Sequence, residues 1–222
     1  MAKHYILDHG YVDYMSHTPE GDKLVVNAAR CSFDKEHKVF DEEKDTRLIN
    51  YLAREKHLLP FRHPNVTLRL HMPIFVARQL GKHQVGFSWS EVSRRYITGE
   101  PDFFTPGYYR QKADNVKQGS DLEAHWNDTM WKADTIAHNK KSLQLYNDMI
   151  AQGVCAEQAR AVLPQNMYTT CVTTGTLLGW HHLYTQRTDS HTQLETQAFA
   201  YAIGNILETL YPVSWNALTK HS

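Results

Sequence analysis

Four short stretches concentrate side chains able to hold an anion or polarise a carbonyl. Arg78-Gln79-Leu80-Gly81-Lys82-His83-Gln84 is followed, after a hydrophobic interlude, by Ser90-Glu91-Val92-Ser93-Arg94-Arg95-Tyr96. Guanidinium forks match phosphate and carboxylate geometry, an ammonium is a point charge, and a serine hydroxyl adds a neutral donor. An adjacent pair such as Arg94-Arg95 is ordinarily solvated surface charge, so the pair alone is a weak signal. In Glu157-Gln158-Ala159-Arg160-Ala161-Val162-Leu163-Pro164 the arginine sits one turn before a helix-ending proline, where it could instead cap local carbonyls. In Arg187-Thr188-Asp189-Ser190-His191-Thr192-Gln193-Leu194-Glu195, Asp189 and Ser190 are ordinary helix-start residues, which leaves Arg187 outside that helix and free to meet a ligand. No His or Asp is spaced to activate a serine, so Ser93 reads as an anion ligand rather than a nucleophile. His181, His182 and His191 are close in sequence, but neighbours on a helix point about 100° apart. No carboxylate or cysteine completes a metal spacing, so no metal site is expected. His57 and His63 read as caps or pocket-lining residues.

These stretches need a scaffold, and the chain has material for one. It has 222 residues, 41% hydrophobic and 22% charged, enough to bury a sizeable core, and is read as one domain over 1–222. Lys plus Arg and Asp plus Glu each number 24, with no basic arm, so a nucleic-acid polymer is not expected as partner. Three cysteines are too few for a disulfide framework, and the start lacks the charged-then-apolar run of a signal peptide. The longest uncharged stretch, Ala161 to Gln186, is too rich in Thr, Gln, Asn and His to span a bilayer. A soluble, cytoplasmic protein without a membrane partner is expected. A strand is expected over Tyr5 to Tyr14, then a turn around Thr18 to Gly21. Asp41 to Lys56 has helical spacing with acids at its start. Val66, Leu68, Leu70, Met72 and Ile74 alternate with Thr67, Arg69 and His71, predicting a half-buried strand that Pro73 ends. Gly99 to Gly119 reads as a polar surface excursion. In a more helical second half, Ser120 and Glu123 have capping-box spacing ahead of a helix toward Ile150 that stops near Gly153. Further helices are expected at Ala156 to Val162, Val172 to Tyr184 and Thr192 to Leu210. The fold class is α+β, an antiparallel or mixed sheet flanked by helices with a helical C-terminal half.

Taken in order, the motifs resemble the flavin-dependent thymidylate synthases. Ala28-Ala29-Arg30-Cys31-Ser32 is similar to the family's Ala-Ala-Arg-x-Ser. Arg78 to Gln84 stands where it has Arg-Gln-x-x-Arg-His-Arg, and Ser90 to Tyr96 where it has Asn-Glu-x-Ser-x-Arg-Tyr. Arg160 to Pro164 resembles Arg-x-x-Leu-Pro, with Tyr168-Thr169 after it, and Arg187, Gln193 and Glu195 match the last motif. One fragment is weak; five in order are specific. The resemblance implies a thymidylate-synthase-complementing-protein-like fold and methylation of dUMP to dTMP, with methylenetetrahydrofolate as carbon donor and FAD carrying hydride from NADPH. It implies dUMP contacts at Gln79, Lys82, Glu91, Ser93, Arg94, Arg95, Arg160 and Arg187, with Ser93 and Arg95 near the phosphate. Arg187 is the expected catalytic group, since a fixed guanidinium at a carbonyl stabilises charge growing in the ring, a donor effect of about 3–4 kcal/mol. FAD contacts are implied at Ser32, Lys82, His83, Gln84, Glu91 and His182. The family's active sites form between subunits of a homotetramer, so Arg160 and Arg187 are expected to act on a nucleotide held partly by a neighbour's Ser93 and Arg95. Cys155 lies in no Pro-Cys-His segment, which argues against the cysteine-initiated enzyme. Three departures fall on the flavin side: Lys82-His83-Gln84 replaces Arg-His-Arg, Thr176 and Leu178 replace Asn-x-Arg with His182 at a second asparagine, and Arg62 replaces the glutamate of Phe-Glu-His. They leave open dCMP methylation, hydroxymethylation, or a non-catalytic nucleotide-binding homologue.

Overall fold

The structure, a computed structural model, describes residues 3–97, 99–114 and 119–222. Strands β1 (His4–Ile6) and β2 (Gly10–His17) lead into helices α1 (Gly21–Arg30) and α2 (Glu42–Arg54). Strand β3 (Asn65–Pro73) runs directly into α3 (Ile74–Leu80), followed by β4 (Phe87–Glu91) and the short strands β5 (Arg110–Lys112) and β6 (Ser120–Ala124). The remainder is α4 (Asp128–Ala151), α5 (Ala156–Ala159), β7 (Tyr168–Thr176), α6 (Leu177–Arg187), α7 (Leu194–Leu210) and α8 (Pro212–Lys220). Five strands form one antiparallel sheet in the order β1-β2-β3-β7-β4, while β5 and β6 pair with each other.

The alternation of β3 decides which face of the sheet is covered. Val66, Leu68, Leu70 and Met72 are fully buried in one core with Leu177, Trp180 and Leu183 of α6 and Phe199, Ile203 and Leu207 of α7. Truncating such a residue to alanine costs about 2–5 kcal/mol. The opposite face is polar: the Thr67 and Thr174 hydroxyls meet at 2.9 Å, and His71 Nδ1 lies 2.8 Å from Thr170 Oγ1. Pro73 closes β3 as expected and becomes the residue before α3, so Ile74 belongs to the helix rather than the strand. Asp41 caps α2, its carboxylate accepting the Lys44 amide at 2.9 Å, with Glu42, Glu43 and Asp45 in the first turn.

Several sequence expectations change. The Tyr5 to Tyr14 strand is a hairpin, bent where Leu7 takes φ 60° and Gly10 lets β2 start against Ile6. Ser120 to Ala124 is a strand paired with β5, not a capping box, and α4 begins at Asp128 and ends just before Gly153, which takes φ +87°. The Val172 to Tyr184 helix is in fact the interior strand β7 through Thr176, with α6 starting at Leu177. There the β-branched run Thr169, Thr170, Val172, Thr173 and Thr174 pairs with β3, and Cys171 to Gly175 pairs also with β4 on the other edge. Gly175 is needed at that crossing, because a Cβ would sit 2.4 Å from the Phe87 ring and 2.8 Å from Trp180 Nε1. Helices α1, α3 and α8 and strand β4 carried no expectation.

Candidate active site

The first cluster forms where α3, α6 and the start of α7 meet. Thr176 caps α6 by accepting the Gly179 amide at 3.0 Å, and Arg187 ends the helix, where a cation complements the C-terminal dipole. Arg187 is thus the last residue of α6 rather than a residue ahead of α7. Its Nε donates to His83 Nε2 at 3.0 Å and its Nη2 to the Gln79 carbonyl at 3.0 Å. The Gln79 amide is held at both ends: its Nε2 donates to Gln193 Oε1 at 2.7 Å, and its Oε1 accepts from Thr196 Oγ1 at 3.1 Å. Desolvation, then the nearby charges of Arg187 and His182, pull the His83 pKa down to about 4. At neutral pH His83 is therefore an uncharged acceptor that fixes the guanidinium of Arg187, with its proton on Nδ1. Gln79 and Arg187 line a cavity of about 990 Å³ together with Arg110, Ser120, His191 and Gln193.

Arg110 was not singled out from sequence, yet it secures this corner. Its Nη1 and Nη2 donate to the two carboxylate oxygens of buried Glu195 at 2.8 and 3.0 Å, and its Nε donates to Ser120 Oγ at 2.7 Å. The pair ties β5 to the first turn of α7, which carries Gln193 and Thr196. Charge balance with a distant acid gives no sequence signal, so only the fold reveals it.

The second cluster lies beyond β4. Ser93 Oγ accepts from Arg95 Nε at 3.2 Å and from Arg160 Nη1 at 3.5 Å, bringing together cations 65 positions apart in the chain. Arg95 and Arg160 are exposed, as suits groups that close on a soluble anion. Glu91 accepts from Thr169 Oγ1 at 2.8 Å, and Glu91, Arg94, Arg160, Arg78 and Gln84 line a cavity of about 810 Å³. Its wall includes His71 and Tyr168, stacked with ring centres 4.9 Å apart. Tyr168 donates to Asp8 at 2.5 Å; desolvation foremost, then that carboxylate, raises its phenol far above the ordinary range.

Within one chain the guanidinium groups do not converge on a single point. Arg160 joins Ser93 and Arg95, not Arg187 as expected, and Gln79 with Arg187 faces a separate cavity. The reason is topological: Arg160 follows α5 and reaches the β4 side, whereas Arg187 ends the helix that follows β7. Among the residues assigned to the flavin, His83 is engaged by Arg187 and Lys82 is exposed beside it. Gln84 folds back on the Gly81 carbonyl. His182 lines a third cavity of about 240 Å³ with Lys56, His181 and His221. Ser32 lies on an exposed 3-10 turn (Cys31–Phe33) and lines none of these three cavities. Its neighbour Arg30 is structural: Nη1 is 2.7 Å from the carboxylate of fully buried Asp45. Among the described residues no group of three or more His, Cys, Asp or Glu side chains could hold a metal ion. No helix among them is long and apolar enough to cross a membrane.

Fold and clusters define an α+β protein with guanidinium groups set in the walls of two cavities. Residues 13–213 match the family described as thymidylate synthase complementing protein. The flavin-dependent thymidylate synthase of Thermotoga neapolitana is 35% identical over 98% of this chain and 94% of its own length. That of Wolbachia pipientis wMel is 34% identical over 99% of this chain and 77% of its own. Among solved structures, the UMP/dUMP methylase PolB from Streptomyces cacaoi, bound with 5-Br dUMP, superposes with a TM-score of 0.85 at 27% identity, covering 97% of each chain. The chain belongs to the flavin-dependent thymidylate synthase family, and is an enzyme of that family.

Proposed function

We propose that the protein methylates dUMP to dTMP, taking the carbon from methylenetetrahydrofolate and reducing equivalents from NADPH through bound FAD, as one functional unit of residues 1–222 working in the cytoplasm. The observation that carries this reading is the fixed Arg187: a guanidinium locked by His83 and the Gln79 carbonyl, beside a doubly held glutamine amide. Such a preorganised donor needs no reorganisation as negative charge grows on a pyrimidine carbonyl. Gln79 presents the planar, two-ended hydrogen-bonding group that suits a pyrimidine edge, and Ser93, Arg95 and Arg160 supply three donors suited to a phosphate. Lys82, Glu91 and Arg94 are assigned to the same nucleotide.

The donor set beside Arg187 fits an anionic flavin dinucleotide. Lys82 is an exposed ammonium, His182 shares a cavity with Lys56, and the buried Nδ1 of His181 has no protein partner. Lys82, His83, Gln84, His182 and Ser32, with Glu91, would hold it; when bound it supplies the hydride chemistry that protein side chains lack. The chain's own residues hold the base, hold the phosphate and keep His83 neutral.

Because one chain splits its cations between two cavities, the complete site is assigned to neighbouring subunits of a homotetramer, one giving Gln79 and Arg187 and the other Ser93 and Arg95. Support comes from the apolar side chains left uncovered near α4: Leu122, Trp126, Met130, Trp131, Ile136 and Leu145 are all exposed. A second substrate is favoured by one specific observation, since PolB is also solved with 5-Br UMP; UMP therefore joins dCMP as a competing substrate to be tested. The decisive experiment offers purified protein FAD, methylenetetrahydrofolate, NADPH and an equimolar mixture of dUMP, UMP and dCMP, with products read by mass spectrometry. dTMP as the main product is expected, from a yellow protein. A colourless protein that cannot be reconstituted, or no methylated nucleotide, overturns the assignment.

A further inference from the structure

A fourth cavity, of about 400 Å³, is lined by none of Gln79, Arg187, Ser93, Arg95 and Arg160. Its walls come from α3, α4 and the segment leading into β5, and the rings of Phe75, Phe104, Tyr108 and Tyr109 give it an aromatic lining. A volume and lining of this kind suit a small flat ligand. Two charged side chains face it, Arg110 and Glu195, and each neutralises the other through their paired hydrogen bonds. Among the described residues no further Lys, Arg, Asp or Glu lines the wall, so the cavity has no spare charge to compensate an ion.

Polar recognition falls to two coupled amides. Asn139 of α4 is only 6% exposed; its Oδ1 accepts from Asn166 Nδ2 at 3.2 Å, and the same Nδ2 donates to the Phe104 carbonyl at 2.8 Å. A carbonyl only accepts, which fixes the orientation of the Asn166 amide, and that of Asn139 follows from it. Each amide keeps one end free, Nδ2 of Asn139 as a donor and Oδ1 of Asn166 as an acceptor. Neither atom has a partner among the described residues, and neither is one of the unpartnered polar atoms closed to solvent, so both are open where their residues line this cavity. A donor beside an acceptor complements the carbonyl and N–H of one lactam or carboxamide.

We propose that this cavity binds an uncharged planar heterocycle through a lactam or carboxamide edge, the ligand carbonyl accepting from Asn139 Nδ2 and the ligand N–H donating to Asn166 Oδ1. Pyrimidinones, pterins and nicotinamide all carry such an edge. The site requires no methylation chemistry and so stands apart from that reading.

The test is ligand-observed saturation-transfer NMR on the full-length protein with thymine, pterin and nicotinamide, each with and without saturating dUMP. The matched controls 1,3-dimethylthymine, 3-methylpterin and N,N-dimethylnicotinamide lack the N–H of that edge. At least one parent probe is expected to bind roughly tenfold or more tightly than its methylated control and to keep that affinity beside dUMP, since the site's own acceptor is left unpaired by the control. The parent that does so identifies the ring. Asn139→Asp still accepts from Asn166 but sets an anionic acceptor against the ligand carbonyl; the same probe should weaken tenfold or more, with dUMP affinity unchanged. No binding by any probe, equal affinity for parent and control, displacement by dUMP, or an unaltered affinity in Asn139→Asp overturns the site. If Asn139→Asp fails to fold, crystals of the unaltered protein soaked with the three probes decide: ring density against Asn139 and Phe104 supports the site, whereas an empty cavity, or one filled by a neighbouring subunit, refutes it. Probe binding without dTMP formation leaves this site standing while the methylation reading fails, and dTMP formation without probe binding does the reverse.

Discussion

Replacing His83 by glutamine isolates the one histidine that Arg187 depends on. A glutamine carbonyl can still accept from Arg187 Nε, so above pH 7 the variant should lose less than about 1.5 kcal/mol, the usual net worth of one hydrogen bond. The effect appears on acidification. His83 titrates near 4 in the folded protein against 6.5 for a free histidine, so the unfolded chain binds the extra proton between those values. Its contribution is therefore fully present above pH 6.5, is lost as pH falls toward 4, and changes no further below that. A displacement of this size corresponds to at most roughly 3 kcal/mol, at 1.36 kcal/mol per pH unit. Buried His181 is displaced to about 4 by desolvation as well, so the unaltered protein should lose stability through the uptake of at least two protons. Urea unfolding followed by tryptophan fluorescence, at half-unit steps from pH 7.5 to 4, gives both curves, and Trp180 in the core supplies the signal. The expected result is a gap between the curves that moves by up to about 3 kcal/mol in favour of His83→Gln as pH falls. A gap constant across the range would show that His83 titrates normally and does not hold Arg187 as an uncharged acceptor.

Arg187→Lys keeps the charge and loses the fork held by His83 and Gln79; dTMP formation should fall by about 10²–10³ while the fold, by circular dichroism, is retained. Asp45→Asn leaves Arg30 beside a neutral group at a fully buried position, and should destabilise by about 3–5 kcal/mol in chemical unfolding. Gly175→Ala drives a methyl into Phe87 and Trp180 and should cost about 1–3 kcal/mol, with the loss read as a lower thermal midpoint. Arg110→Met strands the Glu195 carboxylate and loosens the α7 start that holds Gln79; the expected outcome is weaker dUMP binding in calorimetry, with phosphate binding at the Ser93 cluster unaltered.

Local pattern sufficed for β3, because a two-residue period has only one way to bury Val66, Leu68, Leu70 and Met72. It sufficed also for α2, where the Asp41 cap agrees with the spacing, and for the body of α4, though not for its start. Motif order alone was enough to place the chain in its family, since several short polar signatures in sequence rarely coincide by chance. What the chain's linear order leaves open is anything set by partners distant along it. Val172–Tyr184 reads as helix in the sequence, yet its first five residues belong to β7 once β3 and β4 pair with that strand, and Ser120–Ala124 becomes a strand only against β5. The same holds in the site: His83 is neutral, Arg110 clasps Glu195, and Arg160 joins Ser93 instead of Arg187, each decided by desolvation and distance that exist only once the sheet and helices have packed.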